Sequence, residues 1–405
     1  MADDGFSIPT DAFVDILLRL PQSARRRFRL VCRHWRDVIN ERTPEPQVRA
    51  KILAFLSRSC HSSRAYVFDN NGGRRTREWR FPTSHSIDSV DMVGTCNGLI
   101  CLHEFLFPIR GTIMVTNPIT GDKFVLPPLP TASSEPKQFL PPLVPAATSH
   151  ADDTTGMYSF GYHPRTGRYK VVHITYRSGT KKNSVLVFTL GHESWREVPD
   201  LNQSGVAHKN SSILSVDGST YWFTTPRCDR VTALDLDDDE RVASFDAPPV
   251  MQLVKLSAGF ECRLTTVHAR LGAVVTRRVP ATTRVDVWVL ESRRDERALW
   301  SRRYSLVEPD EYLGRWITAP HFTHGEYVMS ESRTSWYGTM LCRRKVGDLT
   351  DDGNSSRNKQ LRPLVGAQLI MKEREYWETV KTFAYVETLE PLPASMLGGG
   401  DHGGI

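Results

Sequence analysis

The sequence predicts an α+β multidomain chain: a small N-terminal helical domain followed by an all-β propeller of about six blades. Three observations carry that expectation. Apolar residues keep helical spacing only up to about residue 40, and strand-like runs of β-branched and aromatic residues fill almost everything beyond residue 64. Through that β part a bulky aromatic recurs at close to the length of one propeller blade.

The helical signals come first in the chain. Phe13, Ile16, Leu17 and Leu20 follow i, i+3, i+4, i+7, with Thr10 or Asp11 placed to cap the helix after Pro9 and Pro21 placed to stop it. Ser23 can cap a second helix whose Phe28, Val31, Cys32, Trp35, Val38 and Ile39 keep the same spacing and which ends before Arg42-Thr43-Pro44. So short a segment buries too little surface to stand alone, and it carries more apolar residues than one helix pair can cover, so part of its stripe must meet either the β part of the chain or another polypeptide, the latter being the expectation.

The strand signals are runs such as Leu99-Ile100-Cys101-Leu102, Ile113-Met114-Val115 and Val185-Leu186-Val187-Phe188. Between such runs stand Asn97-Gly98, Asn117-Pro118-Ile119-Thr120-Gly121, His163-Pro164-Arg165-Thr166-Gly167 and Asp217-Gly218, turn chemistry that suits tight antiparallel hairpins. Trp79, Phe124, Trp195, Phe245 and Trp300 recur at steps of 45, 71, 50 and 55 residues, and the long step holds a Pro, Ala and Ser-rich stretch that reads as an inserted loop. A ring of blades suits the period because each sheet exposes apolar faces that its neighbours cover, whereas a β-sandwich has no reason to repeat. The expected boundaries are a helical domain over 7–45, a linker over 46–63, the propeller over 64–392 and a disordered Gly-rich tail over 393–405.

Composition narrows the function classes. The 405 residues are 40% hydrophobic and 24% charged, as in folded globular proteins, and 52 Lys plus Arg against 46 Asp plus Glu leave a scattered net charge of +6 that gives no reason to expect nucleic acid. No apolar run is long enough to span a bilayer, so no membrane partner is expected. Met1 to Gly5 carries two aspartates where a secretory signal would be basic and then apolar. Seven cysteines without a pairing pattern suit free thiols in a reducing compartment, so the expected location is intracellular, nucleus and/or cytoplasm.

Residues Ile8-Pro9-Thr10-Asp11, Ile16 to Pro21 and Phe28-Arg29-Leu30-Val31-Cys32-Arg33-His34-Trp35 resemble the F-box, in its order and spacing. The β part resembles the F-box-associated, kelch-like propeller of plant F-box proteins in Cys96-Asn97-Gly98-Leu99, Asn117-Pro118-Ile119-Thr120-Gly121 leading to Leu126-Pro127-Pro128, Phe160-Gly161-Tyr162-His163-Pro164 and Trp195-Arg196. The resemblance implies a substrate-recognition subunit of a Skp-cullin-F-box ubiquitin ligase, bound to a Skp-type adaptor and through it to a cullin, with a protein target on the propeller. Ile8, Pro9, Ile16, Leu17, Leu20, Pro21, Val31, Cys32 and Trp35 are the expected adaptor-binding residues, rimmed by Arg25, Arg26, Arg27, Arg29, Arg33 and Arg36. Arg25 and Arg26 stand where family members commonly carry leucines, which implies a weaker hold on the adaptor. Tyr312, Arg315, Trp316, Trp336 and Tyr337, types enriched at binding hot spots, are the candidates for target recognition. A propeller that senses a small molecule or glycan is the alternative.

No motif of hydrolase, metalloprotease or nucleotide chemistry is present, so the chain is expected to be non-catalytic, without cofactor or metal. Cys96, Cys101 and His103 lack a second ligand pair and read as strand residues; Asp235 to Glu240 lacks the central Gly of a calcium loop and reads as a solvated turn. His163 reads as closing its turn, and Trp79, Trp195 and Trp300 as inter-blade packing.

Overall fold

The computed structural model describes residues 9–20, 28, 31–42, 50–58, 62–69, 73–82, 89–105, 111–130, 156–176, 183–199, 212–224, 228–237, 241–253, 260–267, 270–279, 282–294, 297–309, 316–317, 321–322, 327–334, 338–345, 368–375, 377–389 and 392. Among the described residues two ten-residue helices come first, α1 (Thr10–Arg19) and α2 (Arg33–Arg42). The N-cap of α1 is Pro9, whose carbonyl accepts from the Phe13 amide at 3.0 Å, rather than Thr10 or Asp11. Proline suits the site because its fixed φ costs nothing there and it has no N–H to leave unpaired.

The second predicted helix is interrupted. Phe28 has helical backbone, Val31 lies in a turn closed by its amide on the Phe28 carbonyl at 3.2 Å, and α2 starts only after Cys32, whose Sγ accepts from the Trp35 amide at 3.4 Å. The thiol satisfies a helix-start donor, and the break turns Val31 out to the surface.

The rest of the described chain forms six antiparallel sheets. The first joins β1 (Lys51–Ser57), β2 (Ser63–Phe68) and β3 (Arg75–Phe81) to the last strand, β25 (Thr379–Tyr385). The second is β4 (Ser89–Cys96), β5 (Leu99–Phe105), β6 (Thr112–Thr116) and β7 (Lys123–Val125). The third is β8 (Gly156–His163), β9 (Arg168–Tyr176), β10 (Asn183–Thr189) and β11 (Arg196–Glu197). The fourth is β12 (Leu214–Val216), β13 (Ser219–Phe223), β14 (Arg230–Asp235) and β15 (Val242–Asp246), followed by one helical turn, α3 (Val250–Leu253). The fifth is β16 (Phe260–Val267), β17 (Arg270–Val279), β18 (Thr282–Arg294) and β19 (Arg297–Pro309). The sixth holds β20 (Trp316–Ile317), β21 (His321–Phe322), β22 (Tyr327–Thr334), β23 (Gly338–Lys345) and β24 (Gln368–Glu373).

Strands β4, β8, β12, β16, β21 and β25 each touch the next and the last touches the first, so the sheets close into a ring with these strands innermost. The propeller begins earlier than the sequence suggested. The stretch read as a linker contains β1, whose Ile52 to Leu56 are all buried, because a strand packed on both faces shows an unbroken apolar run instead of alternation. The recurring aromatics sit at one structural position: Trp79, Phe124, Phe245 and Trp300 lie in the outermost strands β3, β7, β15 and β19, and Trp195 immediately precedes β11. Trp195 Nε1 donates to the Pro127 carbonyl at 2.8 Å and Trp300 Nε1 to the Asp246 carbonyl at 2.9 Å, so each indole clips its blade to the exit of the one before. The sixth blade has Leu369, Ile370 and Met371 in that strand, which is why the aromatic period fades after Trp300.

Closure is held at several points. Strand β25 pairs with β1 along its length, Lys381 Nζ meets Asp91 Oδ2 at 2.6 Å, and Glu387 bridges Lys51 at 2.9 Å and Arg77 at 2.8 Å. Burial pushes the Glu387 carboxyl up, but the two cations outweigh it and hold it below its ordinary range. Beyond β25 the chain crosses to the second blade: Asn117 Nδ2 donates to the Thr388 carbonyl at 3.2 Å, and Leu392, 1% exposed, enters the core of that blade with Leu99, Cys101 and Val115.

Candidate functional site

The helical unit supplies the first candidate surface. Phe13, Leu17, Val38 and Ile39 are buried between its parts, with Val14, Leu20, Phe28 and Trp35 half-buried around them, and among the described residues this cluster draws on no strand. Trp35 is the keystone, its ring 4.5 Å from Phe13 and 5.4 Å from Phe28. Arg42 and Asp11 join the ends of the two helices at 2.7 Å, an exposed pair of small energetic weight.

What the pair cannot cover is the informative part. Ile16, Leu18 and Val31 are 48%, 53% and 58% exposed, three large aliphatics on one small unit. Of the expected docking residues, then, Ile16 and Val31 stand on the surface with Pro9 and Cys32, while Leu20 and Trp35 are half-buried. Leu17 is fully buried and belongs to the unit's own core: helical spacing puts it beside Ile16, but α2 covers it. Leu18 was missed, because a leucine off the main stripe leaves no periodic signal. Ile8 and Pro21 lie outside the described residues.

The propeller offers two unlike ends. Because neighbouring strands alternate, the turns joining first to second and third to fourth strands share one end with the entry of β1 and the exit of β25; the remaining connections share the other. At the entry end lie Asn97-Gly98, with φ of 51° and 84°, and Asp217-Gly218, with φ of 51° and 74°, the left-handed pairs that two-residue hairpins require. The strand ends flanking 131–155 and 200–211 lie at the far end, and those flanking 346–367 at the entry end. Trp316 is in β20, paired with Arg333 at the far end of the sixth blade; Tyr312, Arg315, Trp336 and Tyr337 lie outside the described residues.

Four titratable side chains that the sequence or their burial singles out are built into the ring. Cys101 is buried and burial pushes its thiol up, while His103, wedged between Phe105 and Tyr158 at 4.3 and 4.4 Å, is pushed down to about 4 by burial, against the pull of Asp91. His163 Nδ1 accepts from the Thr166 amide at 3.2 Å and so closes its own turn, with Asp235 and Asp237 of the next blade at 3.9 and 4.0 Å. Asp286, 1% exposed, is gripped by Arg277 at 2.8 Å and Arg284 at 3.1 Å. Among the described residues no group of three or more His, Cys, Asp or Glu is arranged to hold a metal ion, and no helix is long and apolar enough to cross a membrane.

A helical unit with uncovered aliphatics, followed by a closed ring of six blades, defines a small helical domain fused to a β-propeller. The comparisons agree with that class. An F-box domain model matches residues 6–44, and an F-box associated β-propeller domain model matches 51–336, more than half of the chain. The chain belongs to the F-box proteins that carry an F-box-associated β-propeller.

Its relatives in Arabidopsis thaliana include the F-box protein At3g07870, 24% identical over 74% of this chain and 72% of that protein, and the F-box/LRR-repeat protein At2g43260, 26% identical over 72% and 65%. The F-box/kelch-repeat protein At3g23880 is 23% identical over 57% and 62%. The chain thus spans somewhat under two thirds to about three quarters of these relatives. Among solved structures the Aleuria aurantia lectin aligns over 76% of this chain and 97% of its own with 11% identity and a TM-score of 0.35, a likeness that carries no functional argument.

Proposed function

We propose that this chain is a non-catalytic substrate-recognition subunit of a Skp-cullin-F-box ubiquitin ligase acting in the nucleus or cytoplasm. Its helical unit docks on a Skp-type adaptor, through it on a cullin, and the propeller holds a protein target near the catalytic subunits of the ligase. The observation that carries this reading is the F-box match over residues 6–44 joined to the exposure of Ile16, Leu18 and Val31, which the helix pair leaves without a covering surface. The adaptor of this family is acidic, so the arginine-rich sequence of this segment speeds encounter more than it tightens the complex. Target recognition is assigned to the end of the ring opposite the entry of β1, the end at which Trp316 pairs with Arg333 in the sixth blade.

The test is a binding titration of the full-length protein with a purified Skp-type adaptor. Micromolar or tighter binding that Ile16→Asp with Val31→Asp removes, with the propeller's melting unchanged, supports the reading. Undiminished binding by that variant removes the docking surface, and no binding by the wild type removes the adaptor role.

A further inference from the structure

Two of the buried cysteines meet across a blade boundary. Cys228 follows β13 in the connection to β14 of the fourth blade, and Cys262 is the third residue of β16, the innermost strand of the fifth. Their side chains are 1% and 7% exposed and pack in one hydrophobic cluster with Phe223, Val231 and Leu264 that spans the two blades. Cys228 also holds a left-handed backbone, φ 54°, with its amide on the Thr224 carbonyl at 3.1 Å. The side chain is accepted at that backbone cost in the cluster that also holds Cys262.

We infer that Cys228 and Cys262 form a reversible disulfide that staples the fourth blade to the fifth when the protein meets a hydroperoxide. The neighbouring Cys262 thiol holds the Cys228 thiol below its ordinary value, while the Cys228 side chain and then burial push Cys262 up, so Cys228 is the attacking sulfur. Its sulfur takes the terminal oxygen of the peroxide, the O–O bond breaks, and with hydrogen peroxide one water leaves and a sulfenic acid remains. The Cys262 sulfur then displaces hydroxide from Cys228, the hydroxide takes the Cys262 proton as a second water, and the S–S bond closes. Two thiols lose two electrons and one peroxide gains them. The oxidant must be small, since neither sulfur is open to solvent. Both residues lie toward the far end of the ring, so the staple would stiffen the blades on the side assigned to the target.

The test is full-length protein held in millimolar hydrogen peroxide, quenched by alkylation under denaturing conditions and digested without reductant. The expected result is a peptide pair cross-linked between Cys228 and Cys262, reversed by dithiothreitol, with a melting temperature raised by about 5 °C in the oxidised form. Cys262→Ser abolishes both changes and leaves Cys228 as a sulfenic acid that a dimedone probe captures. Recovery of both thiols as alkylated cysteines while the exposed Cys32 is oxidised, or pairing of either with another cysteine, overturns the inference.

Discussion

Replacing Ile16 and Val31 together with alanine separates docking from folding. Full burial of such a side chain is worth about 1.5–3 kcal/mol, and with 48% and 58% of these two residues in water, roughly half of that remains for a partner to collect from each. The pair therefore loses about 1.5–3 kcal/mol of binding, about 10- to 150-fold in Kd. Stability of the helical unit should fall less than for a core position, since about half of each deleted side chain already faces water. Leu17→Ala is the contrast: it empties a fully buried position between α1 and α2 and should cost about 2–5 kcal/mol of local stability, weakening docking only because the unit opens. Titration calorimetry at fixed salt reads the affinity, and hydrogen exchange of the α1 and α2 amides reads the local stability. Surface variants that bind as tightly as wild type, or that lose helix protection to the same degree as Leu17→Ala, would refute the division between face and core.

Three further outcomes follow from the ring. Burial holds His103 near 4 in the folded chain against about 6.5 unfolded, so its contribution is intact above pH 6.5 and is lost as pH falls toward 4; at pH 5 the loss amounts to about 2 kcal/mol, and thermal melts of His103→Gln should show a shallower loss between pH 7 and 5. Burial pushes Asp286 up, but Ser305, Arg277 and Arg284 outweigh it and hold it low; its stabilisation is present above the ordinary carboxylate range and fades as pH falls through its lowered value, and Asp286→Ala, which strands two arginines, should cost about 3–5 kcal/mol in urea unfolding. Gly98→Ala places a Cβ 2.4 Å from Thr388 Cγ2 at φ +84°, so a melt should show at least 1–2 kcal/mol of destabilisation, with the segment after β25 losing protection first.

Much of this molecule was legible before any coordinates. Phe124, Trp195, Phe245 and Trp300 marked successive outermost strands because each blade must offer its neighbour a bulky ring, and Asn97-Gly98 and Asp217-Gly218 marked hairpins because few other residues accept the left-handed backbone. The strand β1 was illegible as such, since a run buried on both faces has no alternation to read. The break at Val31 and Cys32 within the second predicted helix was illegible because the Cys32 thiol, an apolar residue by pattern, serves as a helix-start acceptor for Trp35.

The amino-acid sequence on its own determined the local grammar: where helices and strands form, how often a blade recurs, and which family the opening segment resembles. Tertiary structure alone decided that Leu17 is covered while Ile16 and Val31 are not, that Lys51–Ser57 pairs with Thr379–Tyr385 to close the ring, and that Cys228 meets Cys262. Periodicity reports which side chains share a face, a property of a few neighbouring residues. What that face meets depends on segments far away in the chain, and such pairings leave no trace in local spacing.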